Sequence, residues 1–280
     1  MTHRWRTATV ASGGEVIYYE VTGAADAPTV VLTHGAGGSH AAWFQQVPVL
    51  ADAGYRVVTW DSRGFGNSTI VNRELGTDAA VADLTAILDA VGVERAHVVG
   101  QSMGGWWTTG FALAHPDRVA TITLSNTVGG LWTDELARHF AAMVAPDARA
   151  DAAAIAILDD GTEGRLGVHS ALSPAFAERD PARAFLYQQL NTFHSPPMGA
   201  VGRALSGGAV EHAALDALGI PILVITSSDD ALFPPHLVIE SAARLAMAKI
   251  VEIADAGHST YFERPDEYNA ALLDFFAQPG

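Results

Sequence analysis

The stretch that most constrains the fold is residues 98–105, which read VVGQSMGG. An apolar run ends there at Ser102, which has a glycine two positions before it and another two positions after it. Glycines at these positions allow a strand and a helix to approach each other closely around a strained backbone. The pattern therefore predicts a strand, a sharp turn and a helix, with Ser102 at the apex of the turn.

Strand-like and helix-like segments alternate in two parts of the chain, residues 15–128 and 218–277. Apolar runs such as residues 29–33 are typical of parallel strands covered on both faces. Amphipathic segments such as residues 77–91 separate these runs. This alternation predicts β-α-β units with right-handed crossovers. Between the two parts, roughly over residues 130–213, only helical patterns occur.

We therefore predict an α/β core formed by residues 1–129 and 214–280. Residues 130–213 would form a helical cap, inserted over one end of the sheet. Among the individual helices, we predict one that runs from His40 to Ala53, and an alanine-rich one within the cap over residues 150–158. We see no internal repeat and no flexible linker, so the whole chain is expected to form one domain with its insertion.

Composition excludes several classes of function. The chain has 280 residues, a formal net charge of −15 and no cysteine. A chain this acidic is a poor partner for nucleic acid or for an anionic membrane surface. Without cysteine there can be no disulfide, no thiol nucleophile and no thiolate metal site. No apolar run approaches the ~20 residues of a membrane span, and no apolar segment follows the basic start. We therefore expect a cytoplasmic protein, monomeric or homodimeric.

No pattern indicates a cofactor or a metal. Residues 34–38 do not begin a dinucleotide-binding fingerprint, and residues 100–105 lack the Lys-Ser or Lys-Thr pair of a P-loop. The histidines of residues 130–213 are spread without the spacing of metal ligands; these are His139, His169, His194 and His212. The expected partner is therefore a small-molecule substrate alone.

A serine hydroxyl is a weak nucleophile at neutral pH. It needs a general base, usually histidine, and the histidine needs a carboxylate that fixes its tautomer. Two carboxylates, Asp229 and Asp230, follow a late strand-like run, and His258 follows the last one. Because open α/β sheets place their sites at the carboxyl ends of their strands, these groups are expected to lie near Ser102.

Taken in chain order, these motifs resemble those of the α/β-hydrolases of the esterase, enol-lactonase and carbon–carbon bond hydrolase type. Those enzymes carry the pattern G-x-S-x-G at their nucleophile and supply serine, acid and histidine in that order. The loop at residues 34–38 (HGAGG) and the turn at residues 61–68 (DSRGFGNS) are similar to the family's as well. The resemblance implies a doubly wound, mostly parallel eight-stranded sheet with a helical cap.

The same resemblance implies roles for individual residues. The triad would be Ser102, Asp230 and His258. Asp230 is preferred over Asp229 because the family's G-x-x-D-x-x-x-P pattern, with Ser227 in place of the glycine, puts the acid four residues before a proline.

The oxyanion hole would be formed by the backbone N–H groups of Met103 and Ala36, with Gly37 as the alternative to Ala36. Gly35, Gly37 and Trp106 are candidate pocket residues. Of the neighbours Trp106 and Trp107, one is expected in the core and the other at the edge of the pocket.

Other polar residues are expected to serve the structure. His34 is predicted to bond its own loop, and Arg63 to hold the turn at residues 61–68 together. A basic residue under the cap would instead indicate an acidic substrate, and three arginines are candidates for that position: Arg165, Arg183 and Arg203.

Three functions remain open from the sequence. The first is hydrolysis of an ester or an enol-lactone by way of an acyl-enzyme. The second is cleavage of a carbon–carbon bond in a dienoate that arises by aromatic ring opening, but Ser259 stands after His258 where those enzymes have tryptophan. The third is a non-hydrolytic role, as a ligand-binding or cyclase-like protein on the same fold.

Overall fold

The computed structural model describes residues 3–144, 169–193 and 195–277. Eight strands form one sheet in the order β1-β2-β4-β3-β5-β6-β7-β8. Strands β1 and β2 pair antiparallel, as do β2 and β4, and all other neighbours are parallel. The strands are β1 Trp5–Ser12, β2 Glu15–Thr22, β3 Thr29–Thr33, β4 Arg56–Trp60, β5 Ala96–Gln101, β6 Val119–Ser125, β7 Ile222–Ser227 and β8 Ala248–Ile253. This mostly parallel, eight-stranded sheet confirms the predicted fold class.

Helices cover both faces of the sheet. Their bounds are α1 Val47–Asp52, α2 Thr77–Val91, α3 Met103–Ala114, α4 Asp134–Val144, α5 Pro174–Arg179, α6 Pro181–Leu190, α7 Met198–Ser206, α8 His212–Asp216, α9 Pro235–Ala242, α10 Thr260–Glu263 and α11 Pro265–Phe276. Alternate residues of a strand point to opposite faces. In β3, Val31 packs in a cluster with α2 and α3, whereas Val30 and Leu32 pack in a second cluster with α1 and α11.

The predicted continuous helix from His40 to Ala53 is wrong. A short 3-10 helix covers His40–Trp43, and α1 begins only at Val47. The break has a physical cause in Pro48, which has no N–H to donate and whose ring would clash with the carbonyl four residues earlier in a continuous helix.

The first strand was missed by the sequence interpretation. β1 is an edge strand whose residues are mostly exposed, so it lacks the apolar run that marks the interior strands. It pairs with β2 along its whole length, from Trp5 opposite Thr22 to Ser12 opposite Glu15. Register with β2, rather than burial, therefore defines this strand.

The segment between β6 and β7 contributes only helices in its described parts, namely α4 to α8. The predicted helix over residues 150–158 lies outside the described residues. The cap boundaries at residues 130 and 213 stay a prediction. Within the described ranges, no helix combines the length and the apolar character that a bilayer crossing requires.

Candidate active site

Ser102 lies between β5 and α3, in a backbone conformation that non-glycine residues rarely adopt. Its φ and ψ angles are 50° and −120°, which costs of order 1–3 kcal/mol. Its N–H donates to the carbonyl of Ser125 at 3.0 Å, which fixes the turn to the end of β6. The predicted strand, turn and helix around Ser102 are confirmed.

The glycines two positions before and two positions after Ser102 are required by the close packing of α3 on the sheet. A Cβ atom on Gly104 would lie 2.5 Å from the carbonyl oxygen of Thr33, at the end of β3. A Cβ atom on Gly100 would overlap both the carbonyl of Gly104 and the hydroxyl of Thr108. These two positions therefore accept only glycine without moving α3 away from the sheet.

Asp230 and His258 are in direct contact, as the sequence predicts. The Nδ1 atom of His258 lies 3.0 Å from Oδ2 and 3.2 Å from Oδ1 of Asp230. The two residues are 3% and 4% exposed. Asp229, the alternative acid, is exposed and accepts a hydrogen bond from Ser228 instead. The Asp230 carboxylate therefore holds His258 by one ring nitrogen and leaves Nε2 for other partners.

The Asp230 carboxylate is itself held by three donors. Its Oδ1 accepts the N–H groups of Leu232 and Phe233, each at 2.9 Å. Its Oδ2 accepts the Nδ2 group of Asn126 at 3.1 Å. The Phe233 ring then stacks on the His258 ring, with centroids 5.6 Å apart and an interplanar angle of 20°. Asp230 and His258 are thus both held by the same short loop after β7.

Asn126 supports the Asp230 carboxylate, a contact that the sequence analysis missed. It directly follows β6 with a φ of 48°, a conformation that asparagine tolerates better than most residues. Its Nδ2 also donates to Ser227, whose hydroxyl in turn donates to the carbonyl of Gly257 at 2.6 Å. Its place at the carboxyl end of a strand was the available signal.

The loop after β3 lies against the Ser102 turn. A Cβ atom on Gly35 would lie 3.0 Å from the Cβ atom of Ser102. Ala36 is half-buried beside the core. Gly37, with a φ of +78°, lies against Asn191 at the end of α6. The predicted oxyanion loop is thus adjacent to the predicted nucleophile.

His34 serves the structure of that loop, as predicted. The N–H of Ser62 donates to its Nε2 at 3.0 Å, so Nδ1 carries the proton and donates to the carbonyl of Gly35 at 2.7 Å. Complete burial lowers the pKa of His34, which keeps the ring neutral and preserves this tautomer. His34 thereby joins the loop after β3 to the turn after β4.

Arg63 holds the turn at residues 61–68, also as predicted. Its guanidinium donates two hydrogen bonds to Asp83 on α2, at 2.7 and 2.8 Å, and both side chains are buried. Replacing Asp83 by asparagine removes the buried counter-charge that is hydrogen-bonded to the guanidinium and leaves the exposed Glu74, 3.9 Å away, as the remaining ion-pair partner. We expect the free energy of unfolding in urea to fall by about 3 kcal/mol. The control is Glu240→Gln, which breaks an exposed pair with Arg244 and should cost less than about 1 kcal/mol.

His40 gives the fold a pH-dependent contact beside the same turn. Burial by itself would lower the pKa of His40, but the hydrogen bond and charge of Asp61 and the charge of Glu20 outweigh it and raise the pKa. This stabilisation is complete below the ordinary histidine value of about 6.5 and is lost as the pH rises through the raised value.

We therefore expect the difference in free energy of unfolding between the parent and His40→Gln to shrink as the pH rises above about 6.5, so that the parent has the more negative slope against pH. Urea denaturation at several pH values measures the slope. His236→Gln, at an exposed position of α9, is the control and should keep the parent's slope. Equal slopes for the parent and His40→Gln would contradict the assignment.

The described part of the segment between β6 and β7 is bound closely to the loop that carries His258. The buried Glu263 accepts from Ser173, through its N–H and its hydroxyl, and from the N–H of Gly257 at 3.0 Å. Burial raises the pKa of Glu263, although these hydrogen bonds offset part of the effect. The hydroxyl of Tyr187 lies 2.6 Å from that of Ser259. Both chain neighbours of His258, Gly257 and Ser259, are therefore held by hydrogen bonds.

The three arginines that could mark an acidic substrate differ in their positions. Arg183 is engaged elsewhere: its guanidinium donates to Gln45 at 2.9 Å and to the carbonyl of Phe262, and it stacks on aromatic rings. Arg203 is exposed on α7. Arg165 lies outside the described residues. Neither of the two described arginines provides a free guanidinium beside His258.

Trp106 and Trp107, which follow the Ser102 turn in α3, are both buried and each 1% exposed. Trp106 packs against Trp132 and Phe233, with ring centroids 5.6 and 6.1 Å apart. Because Phe233 stacks on His258, Trp106 supports the site through that ring. Its assignment to the pocket stays a prediction.

Comparisons with known proteins agree with this architecture. The model of a family described as the alpha/beta hydrolase fold matches residues 28–265. A crystal structure of a hydrolase from Pseudomonas aeruginosa PA01 is similar with a TM-score of 0.76 and 27% identity, over 98% of this chain and 99% of that one.

The names of curated relatives describe several different activities. The chain is 33% identical to "Putative carbamate hydrolase RutD" of Caulobacter sp. (strain K31), over 93% of this chain and 96% of that protein. It is 31% identical to "Putative non-heme bromoperoxidase BpoC" of Mycobacterium tuberculosis, over 92% and 97%. It is 28% identical to a 2-hydroxy-6-oxononadienedioate/2-hydroxy-6-oxononatrienedioate hydrolase of Paraburkholderia phymatum, over 94% and 91%.

Proposed function

Because the chain belongs to the α/β-hydrolase family and is an enzyme, we propose that it is a serine hydrolase that cleaves an ester or an enol-lactone of a small molecule. The observation that carries this proposal is the buried hydrogen bond between His258 and Asp230, at the sheet edge where Ser102 forms its strained turn. Acyl transfer needs a nucleophile, a base and an orienting acid in this arrangement.

In the proposed reaction, the hydroxyl oxygen of Ser102 attacks the carbonyl carbon of the substrate and its proton passes to Nε2 of His258. The bond to the leaving oxygen then breaks, and His258 returns the proton to that oxygen. Water, deprotonated by the same histidine, attacks the acyl-enzyme and releases the acid and free Ser102. Asp230 holds the ring in the required tautomer and stabilises its cation throughout.

The oxyanion formed in each attack would be bound by the N–H groups of Met103 and Ala36. Two features support this assignment. Met103 is the first residue of α3, where N–H groups and the helix dipole favour negative charge. The loop that carries Ala36 lies against the Ser102 turn through Gly35. Donors fixed in this way before the reaction stabilise the developing charge without reorganisation.

Carbon–carbon cleavage of a dienoate is the second candidate, because the names of two curated relatives describe such hydrolases. Two observations favour the ester or enol-lactone instead. Ser259, in the position where the resemblance expects tryptophan, is hydrogen-bonded to Tyr187. Arg183, a candidate partner for a dienoate carboxylate, is engaged by Gln45 and Phe262. A non-hydrolytic role is the third outcome.

Two measurements test the proposal. A fluorophosphonate probe should label the chain at Ser102, located by mass spectrometry, and should leave Ser102→Ala unlabelled. A panel of nitrophenyl esters, an enol-lactone, a nitrophenyl carbamate and a ring-cleavage dienoate should show the highest kcat/KM for an ester or the lactone. Labelling without turnover would favour the non-hydrolytic role, and a preference for the dienoate would favour carbon–carbon cleavage.

A further inference from the structure

A histidine outside the proposed triad lies beside the base. His169 precedes α5, and the short segment that follows it packs on the loop of His258. The N–H of Ser259 donates to the carbonyl of Ala171 at 2.9 Å. A Cβ atom on Gly257 would lie 2.6 Å from the backbone nitrogen of Ser173. His169 is therefore held next to the site by backbone contacts on the same loop as the base.

The hydrogen-bonding state of the His169 ring follows from its neighbours. The N–H of Ala171, which can only donate, lies 3.1 Å from Nδ1 of His169, so Nδ1 is the acceptor and Nε2 carries the proton of the neutral ring. Burial lowers the pKa of His169 to about 4, with a further contribution from the nearby His258. At neutral pH the ring is thus an uncharged donor at Nε2.

The Nε2 donor of His169 lacks an acceptor among the described residues. His169 is 8% exposed, and its Nε2 has no hydrogen-bond partner in the part of the chain that the structure describes. The ring lies across that of Tyr187, with centroids 4.7 Å apart and an interplanar angle of 77°, and the Tyr187 hydroxyl is engaged by Ser259. A buried donor without an acceptor costs about 1–3 kcal/mol, so an unpaired group here requires an explanation.

The surroundings define the chemistry of the missing acceptor. The buried carboxyl groups of Asp230 and Glu263 both contact the loop of His258, whereas Arg183 donates to Gln45 and Phe262. A buried carboxylate without a cation is strongly disfavoured. An uncharged carbonyl oxygen satisfies the Nε2 donor at no such cost.

We propose that His169 is a substrate-binding residue, whose Nε2–H group donates a hydrogen bond to a second, uncharged carbonyl oxygen of the substrate. This inference rests on the proposed hydrolase function and narrows it. The preferred substrates are esters or lactones that carry a further ketone, ester or amide carbonyl in the acyl part. Substrates with a free carboxylate at that position bind poorly.

The test uses nitrophenyl hexanoate beside the 3-, 4- and 5-oxohexanoate esters, with the parent, His169→Leu and His169→Gln. We expect the parent to hydrolyse at least one oxo-ester with a preference over hexanoate that falls about 10-fold in His169→Leu, mainly through KM. The intrinsic reactivity of each ester cancels because each is compared between variants. His169→Gln keeps an N–H donor and should retain part of the preference.

His97→Gln is the matched control. His97 is also a histidine whose pKa burial lowers to about 4, but it lies in β5 far from the carboxyl end and contacts Thr121 and Phe276. This variant should keep the parent's preference. An equal preference in the parent and His169→Leu for all three oxo-esters would overturn the assignment of His169 alone. Absence of any Ser102-dependent hydrolysis would overturn it together with the proposed function.

Discussion

Replacing Ser102 by alanine is expected to lower kcat/KM for the best ester substrate by on the order of 10⁵- to 10⁶-fold. The change removes only the hydroxyl oxygen, so the oxyanion donors and the His258–Asp230 pair stay in place. Their residual effect should leave a rate above that of the uncatalysed reaction. Steady-state hydrolysis of a nitrophenyl ester measures the loss. A rate within about tenfold of the parent would show that Ser102 is not the nucleophile.

The strained backbone of Ser102 offers an independent check on the same residue. Glycine adopts positive φ without the steric penalty that alanine and serine share. Ser102→Gly should therefore be as inactive as Ser102→Ala and more stable than it by about 1 kcal/mol. Urea denaturation of both variants measures the difference. Equal or lower stability of the glycine variant would contradict the view that strain is stored at this turn.

The parts of the site that could be predicted from the sequence are those that depend on the spacing of neighbouring residues or on their position directly after a strand. Gly100 and Gly104 indicate the turn at Ser102, because the strand and the helix come within backbone contact of each other there. Asp230 and His258 follow the ends of β7 and β8, and the order of a parallel sheet brings those ends together.

The parts that escaped prediction depend on contacts between residues distant in sequence. Asn126 supports Asp230 across 104 positions, and Ser173 meets Glu263 across 90. A single asparagine or glutamate carries no pattern that indicates its partner. His169 belongs to the same group: the sequence shows only that it lacks metal-ligand spacing, whereas its unpaired donor becomes visible from its burial and from the N–H of Ala171.

Local signals also failed where burial was absent or where one residue interrupted a pattern. The edge strand β1 is mostly exposed and defined by pairing with β2, so its residues show no apolar run. The helix predicted from His40 to Ala53 has a suitable apolar spacing, but Pro48 forbids its continuation. The apolar spacing favours a continuous helix here, but the steric effect of the proline determines where the helix begins.

Asp230→Asn is expected to lower kcat by about 10⁴-fold, the loss that the same change of the triad acid causes in serine proteases. An asparagine that donates from its amide to Nδ1 of His258 forces the ring proton onto Nε2. A protonated Nε2 cannot accept the proton of Ser102, so the neutral histidine has the wrong tautomer. The fold should persist, because the amide oxygen can still accept the N–H groups of Leu232 and Phe233, and only the hydrogen bond from Asn126 to Oδ2 is lost.

Asp229→Asn makes this prediction specific, since the two carboxyl groups are adjacent in sequence and differ only in their contacts. Asp229 is exposed, and Asp230 contacts Nδ1 of His258. The Asp229 variant should keep the parent's kcat within about twofold, because it touches neither the base nor its supports. A large loss of kcat in Asp229→Asn together with a small loss in Asp230→Asn would show that Asp229, and not Asp230, is the acid. A small loss in both would mean that His258 keeps its tautomer without a carboxylate, through the stacking of Phe233 and the loop contacts alone.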